Sequence, residues 1–320
     1  MRRKAGFVAL GILVLIIPYL VRNDYYMHII LLSGIYSILC MGWVLILRAG
    51  QFSMGQAAFL AIGAYTSAVL TMKFSISPWL ALLAAGISTA IVAFFLGRIV
   101  LRIRGLYFAV ITLAFNGVVQ LIPANSNYLG GWVGLAPIPP FALGGLEFIN
   151  KSNWYYLILA LVSLNALVTW RIENSKLGRY FKATSNDNLA QSIGINTVGY
   201  RILAFVIACF FAGLAGGVLA PYLNYVSPND FPVWKSIQVQ IQSTIGGTGT
   251  LVTGPIIGAF TLVTLGEFFR AYAKALEPIL NGLILLFVIF LLPDGLVSLP
   301  KVLKKRIRKQ RNRDECQEND

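Results

Sequence analysis

Apolar runs recur along this 320-residue chain, and most approach the roughly 18–20 residues an α-helix needs to cross a hydrocarbon core. They fall at Ala5–Val21, Met27–Leu47, Ala57–Met72, Pro78–Leu101, Leu106–Ile122, Trp154–Trp170 and Ile202–Tyr222. Further runs follow at Val233–Ile245, Leu251–Phe268 and Pro278–Leu292. The pattern predicts an all-α, polytopic membrane protein of about ten transmembrane helices, several of them short or tilted. Two polar stretches between the runs are long. Ile122–Asn153 carries Pro123, Pro137, Pro139 and Pro140 and is expected to be an outer loop, with Trp132 and Trp154 at the membrane interface. The other is RIENSKLGRYFKATSNDNLAQSIGINTVGYR, from Arg171 to Arg201. There Ser185, Asn186 and Asp187 can cap a short helix that Gly194 would end. Leu189, Ala190 and Ile193 would share one face of it. Such a helix suits docking on something cytoplasmic; an ordinary basic loop that only fixes orientation fits the same residues.

Composition agrees with the membrane reading. Hydrophobic residues make up 57% and charged residues 12%, with a mean hydropathy of +0.73, against about 25% charged in a soluble domain. In a soluble chain the net charge of +14 would suggest nucleic acid, but its placement argues for none. Basic clusters sit at Arg2/Arg3/Lys4, Arg48, Arg98/Arg102/Arg104, Arg171–Arg201 and Lys301–Arg313, while alternate loops carry few. That is the positive-inside pattern, with N-terminus, long loop and tail all cytoplasmic. Both ends inside requires an even number of crossings. Treating Val233–Leu251 as re-entrant would move Arg270 and Lys274 inside but send the more basic tail outside. The first run follows Met1-Arg2-Arg3-Lys4 without a small-x-small cleavage site and reads as a retained helix. Residues 1–300 are thus expected to form the membrane domain and 301–320 a disordered basic tail drawn to the anionic leaflet.

The halves on either side of the long loop share a feature. Gly50–Tyr65 and Gly246–Phe260 each run from a Gly-rich turn into a small-residue helix ending in Ile-Gly-Ala-aromatic. Repeated Gly-broken helices are a pointer to a transport path. Gly213, Gly216 and Gly217, and the Gly254/Gly258 pair, suit close helix packing.

Catalytic parts are missing. No GxxxxGK[ST] occurs, His28 is the only histidine, and Cys40, Cys209 and Cys316 have no metal-ligand spacing. Glu267 is the acid inside an apolar run, and Arg270 three residues on can pair with it. No enzymatic activity, metal or cofactor is expected. Neutral polar groups remain, suited to lining a path for a polar solute: Gln51, Ser53, Gln56, Asn116, Gln238 and Gln242, with Gly246, Gly247 and Gly249 at the second turn. Interhelical hydrogen bonding is the alternative role for any one of them.

These residues carry a resemblance. GRYFKATSNDNLAQSIGIN and the helix RILAFVIACFFAGLAGGVLAPY resemble the cytoplasmic loop and next helix of branched-chain amino-acid ABC-importer permeases. GQFSMGQAAFLAIGAYTSA and LRIRGLYFAVITLAF resemble that family's N-terminal signatures; VSPNDF, IGGTGTLVTGPIIGAF and LPDGLV resemble its C-terminal ones. The matches span nearly the whole chain in family order. The resemblance implies a permease of the bacterial plasma (inner) membrane that works with ABC ATPase subunits, a second permease (a heterodimer) and an extracytoplasmic binding protein. It also implies a loop that inserts into the ATPase, with Gly178, Arg179, Ala183, Asp187, Leu189, Ala190 and Gly194 at motif positions. Thr184-Ser185-Asn186 and Asn188 depart from the charged residues common there, and the loop is one residue short between Ala190 and Gly194; partner choice stays open. The implied solute is a branched-chain amino acid. Urea or a short amide is the alternative within the superfamily, and a self-sufficient channel or secondary transporter the alternative outside it.

Overall fold

A computed structural model describes residues 18–19, 23–101, 106–143, 146–148, 150–272, 282–283 and 295–298. The expected spans Ala5–Val21 and Pro278–Leu292, the tail, Arg102, Arg104, Lys274 and Cys316 lie outside the described residues, as does the Arg270 side chain. The other expected runs each form a helix. These are α1 (Asp24–Arg48), α2 (Gln56–Lys73), α3 (Pro78–Val100), α4 (Leu106–Ala124), α5 (Lys151–Glu173), α8 (Thr197–Leu223), α9 (Val233–Gly246) and α10 (Thr253–Tyr272). Between α5 and α8 lie the short α6 (Lys176–Ala183) and α7 (Asp187–Ser192). A two-stranded hairpin, β1 (Ala142–Leu143) and β2 (Leu146–Glu147), belongs to the long outer loop. Five of the described helices are long and apolar enough to cross a membrane. With 14 residues, α9 covers only about 21 Å at 1.5 Å per residue, short of a hydrocarbon core of about 30 Å.

Burial separates centre from periphery. In their most apolar windows α1 is 83% and α8 72% buried, against 39% for α3 and 28% for α5. Accordingly α8 packs against α1, α2 and α3, while α1 also contacts α5 and α10. Small residues make this possible: a Cβ at Gly216 of α8 would lie 2.0 Å from the Leu60 carbonyl oxygen of α2. Helix backbones that close need glycine at the crossing. Outward, α3 exposes Ile87, Ile91, Phe95 and Ile99, an apolar strip suited to lipid rather than water.

His28 near the start of α1 meets Tyr222 near the end of α8, Nδ1 lying 2.6 Å from the hydroxyl; the other ends of these helices meet at the 176–201 loop. At the end away from that loop, residues 125–143 and 146–148 fold back over the bundle. Trp79 Nε1 donates to the Ala142 carbonyl at 2.8 Å, and Phe141, Phe148 and Trp154 pack edge to face. Trp154 is only 4% exposed, so it is a core residue and not the interfacial anchor its position suggested; the returning loop covers it. Trp132 remains 52% exposed.

Candidate functional site

The loop between α5 and α8 is built as two capped helical turns. Ser175 caps α6, its hydroxyl accepting from the Gly178 N–H at 3.5 Å. Gly178 is required where it stands, because a Cβ there would lie 2.3 Å from the Ile172 carbonyl oxygen. Tyr180 stacks on Tyr200 with centroids 4.9 Å apart and Phe181 is buried, which pins α6 to the foot of α8. Asn186 caps α7, its side-chain oxygen accepting from Leu189 N at 3.4 Å. Gly194 ends the segment with φ +78°. Arg179 is exposed and Ala183 half-buried.

The expected apolar face divides. Leu189 and Ile193 are 65% and 68% exposed, whereas Ala190 is buried. Leu189 and Ile193 are four residues apart and occupy the outer side of the turn; Ala190 points into the fold. Asp187 does not serve as the cap. Its carboxylate turns inward and accepts from Arg201 Nη1 at 3.0 Å, in an ion pair whose side chains are 5% and 7% exposed.

Arg201 organises the whole junction. Its Nη2 donates to the Thr184 carbonyl at 2.7 Å, and its Nε to the Ala49 carbonyl at 3.3 Å. The Thr184 hydroxyl donates to the same Ala49 carbonyl at 3.0 Å. Next to it, a Cβ on Gly50 would approach Ser185 Cα to 2.8 Å. The loop is therefore seated directly on the first Gly-rich turn. Arg48 makes the corresponding link to the second: its Nη2 donates to the Thr248 carbonyl at 3.2 Å and to the Gly249 carbonyl. The same Nη2 lies 3.9 Å from Glu173 Oε1, at the end of α5. Two guanidinium groups thus tie the base of one loop to both Gly-rich turns. From the sequence, Arg48 and Arg201 count only as orientation charges and Thr184 only as a departure from the family's loop pattern. One signal was present: an arginine opening a strongly apolar helix needs a partner, though nothing in the spacing says which.

The candidate path residues fall into separate groups. Gln51, Ser53 and Gln56 line the first turn, held by Trp43 Nε1 donating to the Ser53 carbonyl at 2.8 Å. Met54 N donates to Thr112 Oγ1 at 2.9 Å, and Ala57 N to Ser236 Oγ at 2.9 Å, which joins this turn to α4 and α9. Asn116 lies one helical turn beyond Thr112. The side-chain amides of Gln51, Gln56 and Asn116 are buried with no hydrogen-bond partner among the described residues. An amide in that state costs free energy unless a solute or water meets it. Gln238 and Gln242 sit elsewhere, on one wall of a cavity of about 240 Å³ between α1, α8, α9 and α10. Gln242 Oε1 also accepts from the Cys40 thiol at 3.4 Å. Gly246, Gly247 and Gly249 do not line that cavity. Gly246 is a packing residue, since a Cβ there would lie 1.9 Å from the Gly254 carbonyl oxygen. Gly247 takes φ +109° to turn the chain. A larger cavity of about 490 Å³ lies between α2 and α4, walled almost wholly by apolar groups such as Ile62, Val69 and Val119, with little to recognise a polar solute.

Comparison with known proteins bears on this arrangement. Residues 25–292 match the family described as branched-chain amino acid transport system / permease component. The high-affinity branched-chain amino acid transport system permease protein LivM of Escherichia coli is 32% identical over 94% of this chain and 76% of its own length. LivH of Salmonella typhimurium, named for the same transport system, is 22% identical over 85% of this chain and 94% of its own. The galactofuranose transporter permease protein YtfT of Escherichia coli is 24% identical over 84% and 80%. No solved structure matches.

Proposed function

From the premise that the chain belongs to the branched-chain amino acid transport system permease family, we propose that it is the membrane-spanning subunit of an ATP-driven importer for branched-chain amino acids. Its 1–300 region would be the permease domain, in the bacterial plasma membrane with both termini cytoplasmic. Separate ABC ATPases would hydrolyse the ATP, a second permease would complete the pathway, and an extracytoplasmic binding protein would deliver solute. The relatives named for these amino acids favour this solute over urea or an amide. The capped loop favours an ATP-driven importer over a self-sufficient carrier, which has no use for a docking helix.

The observation that carries the coupling is the exposed pair Leu189 and Ile193 on a loop seated, through Arg201 and Arg48, on both Gly-rich turns. An ATPase closing on this loop pushes a braced element. Differential binding to its two positions would shift the permease between outward- and inward-facing states. Replacing Leu189 and Ile193 together with aspartate should release the ATPase, because carboxylates desolvated at an apolar contact cost several kcal/mol. Co-purification of the ATPase with the permease measures this; undiminished recovery with the double variant would refute the docking assignment.

A second expectation concerns the path, to which we assign Gln51, Ser53, Gln56, Asn116, Gln238 and Gln242. Gln238→Leu with Gln242→Leu removes two amides from one cavity wall, at about 1–2 kcal/mol per lost hydrogen bond. Uptake should fall about ten-fold or more at normal membrane abundance. Normal uptake would return both glutamines to helix packing.

A further inference from the structure

The cavity behind Gln238 holds more than amides. Asp230, Lys235 and Glu267 also line it, facing Leu219, Leu262 and Val263. Asp230 and Lys235 are each fixed by the backbone. The Asp230 carboxylate accepts from the Ser227 N–H at 2.9 Å, and Lys235 Nζ donates to the Asp230 carbonyl at 2.7 Å. One hydrogen bond uses one of the three donors of an ammonium group, so Lys235 keeps capacity for an incoming anion. Tyr36 and Phe231 lie 5.7 and 5.6 Å from its Nζ and hold the charge in a partly desolvated setting. Ionisable groups at the wall of a membrane-protein cavity mark a solute pathway by default.

We propose that this cavity is a recognition site for an aliphatic α-amino acid zwitterion. Lys235 receives the α-carboxylate, Asp230 with Glu267 receives the α-ammonium, and Leu219, Leu262 and Val263 enclose the side chain. The proposal rests on the importer reading and deepens it: selectivity resides in this chain as well as in the binding protein. Size agrees, since about 240 Å³ falls below the roughly 300–1,000 Å³ of pockets for drug-sized ligands and suits one small solute. Chemistry agrees too. A sugar or urea brings no ionic group, whereas a zwitterion with an apolar tail offers an anion to Lys235, a cation to the carboxylates and an apolar surface to Leu219, Leu262 and Val263. The site lies at the His28–Tyr222 end of the bundle, away from the 176–201 loop.

The test is L-leucine uptake by the complete importer in proteoliposomes with saturating binding protein, expressed per assembled complex. Lys235→Met and Asp230→Asn should each lower uptake at least ten-fold, while Lys235→Arg keeps most of it. In the assembled importer carrying Gln238→Cys, L-leucine should slow modification by a small cationic methanethiosulfonate at least three-fold relative to buffer. Wild-type uptake in both neutralised variants, equal loss in Lys235→Arg and Lys235→Met, or no protection of the cysteine would each overturn the site and leave the importer standing. Failure of the unmodified complex to take up any branched-chain amino acid would overturn the reading beneath it.

Discussion

Replacing Arg201 with methionine should uncouple the importer while leaving it in the membrane. The guanidinium satisfies the Asp187 carboxylate and the Thr184 and Ala49 carbonyls from one buried position. Methionine fills similar volume but takes the Arg201 cation away from a buried carboxylate, a loss of about 3–5 kcal/mol for a broken buried pair. The penalty falls on the seat of the loop, not on the α1–α8 core. The 176–194 segment should then move without carrying Ala49 and Gly50 along. ATP hydrolysis should persist but lose its dependence on loaded binding protein, and uptake should drop at least ten-fold. Arg201→Lys should recover only part of the function, because a point charge on a flexible stem cannot reproduce the three-way fork. The ratio of solute taken up to ATP hydrolysed measures the effect, and a wild-type ratio in Arg201→Met would remove Arg201 from the coupling route.

Gly216→Val should prevent the bundle from assembling. At that crossing even a Cβ would stand 2.0 Å from the Leu60 carbonyl oxygen and 2.8 Å from Ala64 N, both main-chain atoms of a helix that cannot bend aside. Relief requires α2 and α8 to separate, which strips contacts between two closely packed, largely buried helices. Overpacking of this kind costs about 1–3 kcal/mol and more where backbone must move. Detergent-solubilised protein should show a markedly lower thermal midpoint by size-exclusion chromatography, or no monodisperse peak. Gly117→Ala is the matched control: nothing lies within 4 Å of a Cβ there, and alanine is the better helix former by about 1 kcal/mol. A midpoint for Gly216→Val equal to that of the control would contradict the close crossing.

Helices were legible because the bilayer imposes a length and a hydropathy that no other solvent demands. The starts and stops at Pro78, Asn186 and Gly194 follow from caps and breakers that act within a few residues, whereas the Asn23 cap is no part of the sequence-based expectation and α1 begins at Asp24, before the expected Met27. Gly213, Gly216 and the Gly254/Gly258 pair read correctly as packing devices for the same reason: a missing side chain allows close approach wherever the partner lies. Polar residues were harder. Gln238 and Gln242 share a helix face by periodicity alone, but Gln51, Gln56 and Asn116 belong to a different part of the bundle, and no spacing could separate the two groups. From the sequence, Glu267 is read only against Arg270, whose side chain lies outside the described residues; that it also stands on the wall of a cavity with Asp230 and Lys235 is a matter of the fold.

The sequence by itself determined that this is an all-α membrane protein, where its helices run, that its long basic loop carries a capped turn, and which family it resembles. All of these rest on local propensity, on segment length, or on motif order. Only the tertiary structure decided that α1 and α8 form the centre, that Ala190 faces inward while Leu189 and Ile193 face out, and that Trp154 is core. It alone joined Arg201 to Asp187 and Ala49, and Arg48 to Thr248. A hydrophobic run specifies that a helix is buried in something apolar, and lipid and protein satisfy it equally well. The choice between them, and the pairing of each buried charge, is made by contacts between residues far apart in the chain.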